Sequence, residues 1–355
     1  MPPQPKRNRA LWLAVAVALL GASAWLMSRG DRERSTVRPP KMEFPRAPKA
    51  AEQSRNDRRR TLPPIPAPSD DAEGLRRKRD PLLVALPSDP KRSALVFEVD
   101  ALKESPIGRV WLDCMLARND RDRRGIERLK ETYGVDLSND VERVAVSSER
   151  VAILQGSFEP SRFERDGWKG RTYGEKGTIH ENDELGRAVA TWGGELLLLG
   201  NDVDTLEDAI DRLESDDPHQ TSILSDTSSY GDVYGVLSPE DLAKALPEEQ
   251  AELADKITSV VDRVEVHVDA SDDVAMVADV RGPAGDDVAD LAKSMGTALA
   301  VGRLKAQSDG DDKLAELLDY ARVKPGQGTF SMDVALPVEL LKDLGPCRKS
   351  RREAR

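Results

Sequence analysis

Apolar and polar residues alternate over short stretches between residues 93 and 345, and this spacing predicts β-strands. SALVFEVD at 93–100 places every second side chain on one apolar face, which is typical of a half-buried strand. VERVAV and RVAILQG repeat this period on either side of a short polar break, so they predict a hairpin. RTYGE, GTIHE, GRAVATW and ELLLLG predict further short strands, with a tight turn at Gly193-Gly194.

A helical period replaces the strand period elsewhere. The apolar residues of DVDTLEDAIDRLESDD share one face of a helix: Val203, Leu206, Ile210 and Leu213. Short helices are also predicted in SPIGRVWLDCML and RRGIERLKETYG, where Gly134 is a C-terminal stop. LSPEDLAKALP predicts a helix with Ser238 as its N-cap and Pro239 in its first turn. EEQAELADKI and residues 285–308 and 311–322 predict three more.

Two stretches of the chain resemble each other. VERVAVSSERVAILQGSF at 141–158 is echoed by VDRVEVHVDASDDVAMVADVRG at 261–282, and the elements around both follow one order. Strand, short helices, two adjacent strands and a helix occur in each half. We therefore predict an α+β fold of two related halves, 93–225 and 226–345, each an antiparallel sheet packed with helices. The alternative is that V-x-R-V-x-V only reflects ordinary strand composition.

An uncharged segment, ALWLAVAVALLGASAWLM at 10–27, stands near the amino terminus. As a helix its 18 residues would rise about 27 Å, close to the thickness of a bilayer's hydrocarbon core. Three basic residues precede it, so residues 1–27 fit a single-pass anchor in the cytoplasmic (inner) membrane with the body outside. They also fit a signal peptide cleaved near Ala24, followed by secretion. The apolar run continues past that site, which favours the anchor.

Residues 28–92 have the composition of a disordered linker rich in proline and arginine. They contain eleven prolines and few apolar side chains, so little offsets the entropy lost on ordering. The exception is PLLVALP at 81–87, a candidate for docking on the following domain. The last ten residues, 346–355, form a basic tail.

Charge is segregated along the chain. The net charge is −11, but residues 1–27, 28–92 and 346–355 carry +3, +7 and +4, which leaves −25 on the body. Because phosphate contacts need a positive surface, we predict that the body does not bind nucleic acid. Its acidity fits either a solvated surface or a patch for a basic partner. No complete EF-hand calcium loop is present in the sequence.

The body resembles a family of bacterial envelope domains of unknown function that carry an amino-terminal membrane segment. The resemblance lies in the strand and A-L-x-x-S-P-I-G-R start at 96–109, in QGSF at 155–158 and in ELLLLGNDVDTLEDAID at 195–211. It covers most of residues 93–345. It implies an envelope location and this fold, and it implies no activity.

The sequence lacks the motifs of common enzyme chemistry. It has no Gly-Lys dipeptide and therefore no P-loop, and neither G-x-S-x-G nor H-E-x-x-H occurs. We predict no catalytic, cofactor-binding or metal-binding residues and no bound cofactor. His180 stands beside Glu181 and Asp183, which leaves a hydrolase using these groups as an alternative. His219 falls in a loop, and His267 is predicted to face solvent from a strand.

Neither the cysteines nor the aromatic residues select a function. Cys114 falls in an apolar helical stretch and is predicted to be an inert core thiol, while Cys347 is predicted to be free in the tail. Trp168, Tyr173 and Trp192 cluster in the strand-rich region, where we expect them to fill the core rather than to line a binding surface.

These observations together predict a membrane-tethered, non-enzymatic bacterial envelope protein. Its acidic extracytoplasmic body would bind another macromolecule, either a protein or an envelope polymer. The alternatives are a small-molecule or lipid-binding module, with its ligand in a groove between the halves, and the hydrolase built around His180. Composition leaves the oligomeric state open.

Overall fold

The structure, a computed structural model, has an α+β fold with a large antiparallel sheet and packed helices, which confirms the predicted class. It describes residues 60–66, 76–106, 108, 127, 129–158, 163, 167–200, 202–217, 219–220, 222–246, 251–271, 273–283 and 285–338. The described residues divide into two compact units. The larger unit contains residues up to 236, together with 267–272 and 338, and the smaller unit contains 237–266 and 273–337.

The strands of the described residues, in chain order, are β1 (Leu62–Pro66), β2 (Arg76–Arg79), β3 (Ala94–Glu98), β4 (Val141–Ser147), β5 (Ala152–Gly156), β6 (Trp168–Tyr173), β7 (Gly177–Asn182), β8 (Arg187–Trp192), β9 (Leu196–Gly200), β10 (Val233–Leu237), β11 (Arg263–Asp269), β12 (Val274–Arg281), β13 (Ala321–Pro325) and β14 (Thr329–Leu336). The helices with defined bounds are α1 (Pro81–Val84), α2 (Val99–Glu104), α3 (Val203–Glu214), α4 (Pro239–Ala245), α5 (Ala251–Val260), α6 (Gly285–Ser308) and α7 (Asp312–Asp319).

The sheet of the larger unit has the strand order β10-β3-β4-β5-β9-β8-β7-β6, and its neighbouring strands are antiparallel. β4 and β5 form the hairpin predicted from VERVAV and RVAILQG. β6 to β9 follow as a meander. The turn between β8 and β9 uses Gly193 and Gly194 at φ values of 60° and 76°, as their sequence predicts.

Both faces of this sheet are buried around β8 and β9. Leu196 and Leu198 lie in one apolar cluster with Trp192, whereas Leu197 lies in a second cluster with Val189. Successive side chains of a strand point to opposite faces. The uninterrupted apolar run ELLLLG therefore reflects a strand covered on both sides.

Helix α3 covers the first of these clusters. Leu206, Ile210 and Leu213 are buried and Val203 is partly buried, so the apolar stripe predicted from the sequence is the packed face. The Asp202 side chain accepts a hydrogen bond from the Thr205 amide and caps the amino terminus of the helix.

The folded region begins earlier than the sequence suggested. The linker predicted over residues 28–92 includes β1, β2 and α1, and Leu82, Leu83 and Leu86 are among the most buried residues of the larger unit. The expected docking of PLLVALP is thus confirmed, but an unbroken disordered linker up to residue 92 is not. Proline and arginine dominate the composition here, so composition alone predicts disorder. The short apolar helix α1 is nevertheless ordered because its leucines pack on the core.

The smaller unit contains the neighbouring strands β13, β14 and β12, residues 263–266 of β11, and the helices α4 to α7. Ser238 caps α4 by accepting a hydrogen bond from the Asp241 amide, and Pro239 occupies the first turn, as predicted. β13 replaces the end of the helix predicted over 311–322, since α7 ends at Asp319. α7 packs on α6 through Leu314, Ala315 and Leu318.

Several predictions concern residues outside the described ranges. They are the membrane segment at 10–27, most of the linker, Cys114, Cys347 and the tail at 346–355. Among the described helices, none is both long enough and apolar enough to span a bilayer.

We expect Leu82→Ala to lower the free energy of unfolding by about 2–5 kcal/mol, because it leaves a cavity in the core beneath α1. Leu185→Ala is the control, since Leu185 is 52% exposed and its truncation should change stability by no more than about 0.5 kcal/mol. Urea unfolding followed by tryptophan fluorescence measures both. If both substitutions changed the free energy of unfolding by the same small amount, the packing of α1 would not contribute to the stability of the core.

Candidate functional site

A small cavity lies beside β2 and α1. Its volume is about 30 Å³, and Arg79, Asp80, Leu83 and Leu224 are among the residues that line it. That volume suits about one water molecule, whereas small-molecule sites measure roughly 300–1,000 Å³. This cavity cannot receive a substrate or a lipid.

The structure does not bring His180 together with the neighbouring carboxylates. His180 is 2% exposed in β7, where its ring lies 5.2 Å from the ring of Phe163, measured between centroids. Glu181 points to the opposite face and pairs with Arg171 at 3.5 Å. Asp183 pairs with Lys169 at 2.5 Å at the surface. Within the described residues, His180 and these two carboxylates are therefore held in separate surroundings.

The prediction that His267 faces solvent is wrong. His267 is 2% exposed, its ring stacks on Tyr230 at 3.8 Å, and its Nδ1 lies 3.2 Å from the Tyr230 carbonyl oxygen. Alternation with valines suggested a polar face, but this part of β11 is buried on both sides. His219 is exposed, in the loop that the sequence predicts. No group of three or more potential metal ligands occurs among the described residues.

The aromatic residues of β6 and β8 are mainly structural, as expected. Trp192 is 2% exposed in the core, and Trp168 packs in the second cluster beside Phe163, with ring centroids 6.0 Å apart. Tyr173 is half-buried and donates a hydrogen bond to Asp211 at 3.1 Å. The cluster therefore fills the sheet and ties it to α3.

A buried ionic cluster lies beneath α1. Glu98, Arg143 and Gln155 are directly opposite one another on β3, β4 and β5, so their side chains share one face. Arg143 is 0% exposed and donates two hydrogen bonds of 2.8 Å to Asp80, one to each carboxylate oxygen. Its Nε donates to Gln155 Oε1 at 2.7 Å. Tyr234 donates to Glu98 at 3.2 Å on the other side.

Asp80 performs two tasks at once. Its Oδ1 also accepts a hydrogen bond from the Leu82 amide at 3.0 Å, so the carboxylate caps α1 while it binds Arg143. Asp-Pro at the start of PLLVALP is the sequence signal of such a cap. Nothing local identifies its partner, which lies 63 residues away.

The groups around Arg143 keep its guanidinium charged although it is buried. Burial by itself would lower the pKa of Arg143, but Asp80, Tyr234 and Glu98 together outweigh it, and the pKa of Arg143 is raised. Burial, followed by the nearby charge of Glu98, raises the pKa of Tyr234, so this hydroxyl keeps its proton. The cluster is therefore structural: it joins α1 to the sheet, and its buried side chains leave no space for a reactant.

The exposed side of α3 is the second charged feature. We use the name α3 acidic face for Asp204, Asp208, Asp211, Asp216 and Asp217, all of which are exposed. The first three are spaced four and three residues apart on one side of the helix. No salt bridge joins Asp204, Asp208 or Asp216 to any residue in the described part of the chain.

The inner edge of this helix is fixed to the hairpin of β6 and β7. Glu207 pairs with Arg171, and Glu214 accepts hydrogen bonds from the Glu175 and Lys176 amides at 2.7 and 2.9 Å. Glu214 also accepts a hydrogen bond from Trp192 at 3.2 Å. Glu207 and Glu214 are therefore structural, whereas the carboxylates of the α3 acidic face are exposed and only Asp211 among them accepts a hydrogen bond from the sheet, from Tyr173, within the described residues.

Comparisons of the chain with protein-family models, with curated proteins and with solved structures find no match in any of the three.

We expect Arg143→Met to lower the free energy of unfolding by about 3–5 kcal/mol, because Asp80 and Glu98 would stay buried without their cation. Arg263→Met is the matched control, since Arg263 holds the same position in the second V-x-R-V stretch but is partly exposed, and its partner Glu265 keeps a second cation, Arg281, at 3.7 Å. Its loss should not exceed about 1 kcal/mol. Urea unfolding measures the free energy of unfolding of both variants. Equal losses of stability would contradict a special role for Arg143.

Proposed function

We propose that this chain is a membrane-tethered, non-enzymatic envelope protein whose body binds a basic macromolecule through the α3 acidic face. The observation that carries this proposal is the placement of those carboxylates. Several lie in the last turns of α3 or just beyond it, where the helix macrodipole favours cations and disfavours acids. Asp216, just beyond the carboxyl end of α3, is exposed and forms no salt bridge with the described residues. An exposed charge that the macrodipole disfavours fits a surface kept for a partner.

The scaffold beneath the face supports this proposal. Arg212, the one basic residue of the last turn, turns inward and donates to the Ala85 carbonyl at 2.9 Å. Burial lowers the pKa of Arg212, although Glu149 and Asp208 oppose that shift. The outer side of α3 thus presents carboxylates on a rigid helix. Rigid, uniformly charged surfaces accelerate the encounter with an oppositely charged partner.

The matched test uses two double variants of the full-length protein. Asp204→Asn with Asp208→Asn should weaken binding of a poly-lysine probe about tenfold at low salt, since two carboxylates of the face are lost. Glu252→Gln with Asp255→Asn on α5 removes the same charge elsewhere and should change binding less than about twofold. Fluorescence anisotropy measures both affinities. Equal losses would mean that the net charge of the body attracts the probe, and that α3 is no site.

The amino-terminal segment supports the location. Residues 10–27 carry no charge and follow three basic residues, which suits an anchor with a cytoplasmic amino terminus. The body would then work outside the membrane, at the end of a linker that is basic and rich in proline. A tethered binder gains effective concentration near targets within the reach of its linker.

Intact mass of the membrane-extracted protein, with protease digestion of whole spheroplasts, tests the anchor. We expect full-length mass, a protected amino terminus and a digested body. A mass that begins at Trp25 would instead show a cleaved signal peptide and a released body. A body protected from external protease would place it in the cytoplasm and contradict the proposal.

We also infer that the body arose by duplication, with the two V-x-R-V stretches as equivalent elements. Gly156 ends β5, and a Cβ there would lie 1.9 Å from the carbonyl oxygen of Asp140, just before β4. Gly282 follows β12, and a Cβ there would lie 2.0 Å from the carbonyl oxygen of Val260, just before Val261. The same close approach after both hairpins supports a common origin, as does the shared element order.

A further inference from the structure

The chain enters the larger unit beside the carboxyl end of α3. The described residues begin at Arg60, and Leu62 of β1 is directly opposite Arg79 of β2. Arg79 in turn donates hydrogen bonds to the carbonyl groups of Arg212 and Leu213, in the last turn of α3. The segment that precedes β1 therefore meets the body where α3 ends.

A second set of contacts fixes the same entry point. The Thr61 hydroxyl donates a hydrogen bond to Glu195 at 2.9 Å, and Glu195 lies in the turn between β8 and β9. Trp192, just before this turn, donates a hydrogen bond to Glu214 in the last turn of α3 at 3.2 Å. Both sets of contacts thus hold the start of β1 at the carboxyl end of α3.

The segment that arrives at this point is basic, and the helix beside it is acidic. RNDRRR at 55–60 contains four arginines and one aspartate, a net charge of +3. Residues 204–217 contain seven acidic residues and one arginine, a net charge of −6. Two stretches of opposite charge are therefore joined to the same end of α3, one of them by the chain itself.

The lengths of the two stretches also match. The 12 residues of α3 rise about 18 Å. An extended chain covers about 3.5 Å per residue, so Arg55 lies within about 17 Å of Arg60. Running back along the helix from its carboxyl end, Arg58 reaches the level of Asp208, and Arg55 reaches the level of Asp204.

We propose that residues 55–59 lie along the α3 acidic face, antiparallel to the helix, and compete with a basic partner for its carboxylates. This docking rests on the proposed function, since it regulates the same face. The segment is joined to the body at the edge of its site, so its effective concentration there is about millimolar. Asp57 interrupts its arginines. A partner with a longer, unbroken run of cations therefore displaces it, whereas a sparsely charged one does not.

Cysteine crosslinking of the full-length protein tests the docking. The native cysteines are first removed through Cys114→Ser and Cys347→Ser, and tryptophan fluorescence checks that the fold is kept. Adding Arg55→Cys and Asp204→Cys should then give an internal disulfide under mild oxidation, because the proposed register brings these positions together. Alkylation of the remaining thiols, followed by intact mass, measures the yield.

The matched control combines Arg55→Cys with Leu185→Cys in the same background. Leu185 is exposed and precedes β8, whose other end is Trp192, so an undocked segment has no preference for Asp204 over it. We expect a yield at least about tenfold lower than with Asp204→Cys. Equal yields, or no disulfide in either protein, would overturn the proposal. A disulfide between two chains would assign the face to the segment of a second copy and would refute docking within one chain.

Removal of the arginines tests the competition. Arg55→Gln, Arg58→Gln and Arg59→Gln together should raise the affinity for the poly-lysine probe about tenfold at low salt, because the carboxylates of α3 are then free for the probe. Fluorescence anisotropy of the full-length protein measures the affinity.

The control removes the same charge from the tail. Arg348→Gln, Lys349→Gln and Arg351→Gln together should change the affinity less than about twofold. Equal gains in both triple variants would show that net charge sets the affinity, and they would overturn the proposal.

The two readouts separate this docking from the proposed function. If the internal disulfide forms while Asp204→Asn with Asp208→Asn leaves poly-lysine binding unchanged, residues 55–59 dock as proposed and the face has no basic partner. If those substitutions weaken binding and no internal disulfide forms, the face binds a partner and the docking is refuted.

Discussion

The guanidinium of Arg143 joins the amino-terminal segment to the sheet, and the packing of the larger unit depends on this bond. A buried cation without its partner costs several kcal/mol, so the sheet can close over Arg143 only when Asp80 is in place. Asp80 also begins α1, and α1 brings its leucines onto the core. One interaction therefore couples a segment that composition alone would leave disordered to strands that follow it by more than sixty residues.

The same segment sets the position of α3. Arg79 donates hydrogen bonds to the carbonyl groups of Arg212 and Leu213 at the end of that helix, and Arg212 donates in return to Ala85. Carbonyl groups at a helix carboxyl terminus have no partner within the helix, and a cation there also interacts favourably with the negative end of the macrodipole. Arg79 thus offsets part of the cost of the carboxylates nearby. The ion pair of Asp80 and Arg143 holds this segment in place. It therefore supports the proposed binding face, although neither residue belongs to the α3 acidic face.

The sequence indicated those features that depend on neighbours in the chain. The strand period, the stripe of α3, the cap at Ser238 and the glycine turn after β8 all follow from spacing or local backbone chemistry. Asp80 and Arg143 could not be paired in this way, because each looks like an ordinary surface residue within its own segment. The prediction for His267 is wrong for a related reason: alternation shows that a strand has two faces, but tertiary packing decides whether both are covered.

Arg143 and Arg263 suggest how the two proposed repeats diverged. In the first, the arginine face of the hairpin is covered by α1 and completed by Asp80, so Ala145 and Ile153 beside it are apolar. In the second, the corresponding positions are Glu265 and Asp279, and Arg263 pairs with Glu265 at 3.2 Å. Partial burial, followed by the charge of Glu265, raises the pKa of Asp279. The carboxylates on that strand face are therefore close together and poorly solvated. An uncovered arginine needs acidic neighbours of its own, whereas a covered one can take its anion from the covering segment. Under the proposed duplication, the covering segment accounts for the apolar residues beside Arg143, and Arg263 has acidic neighbours on its own hairpin instead.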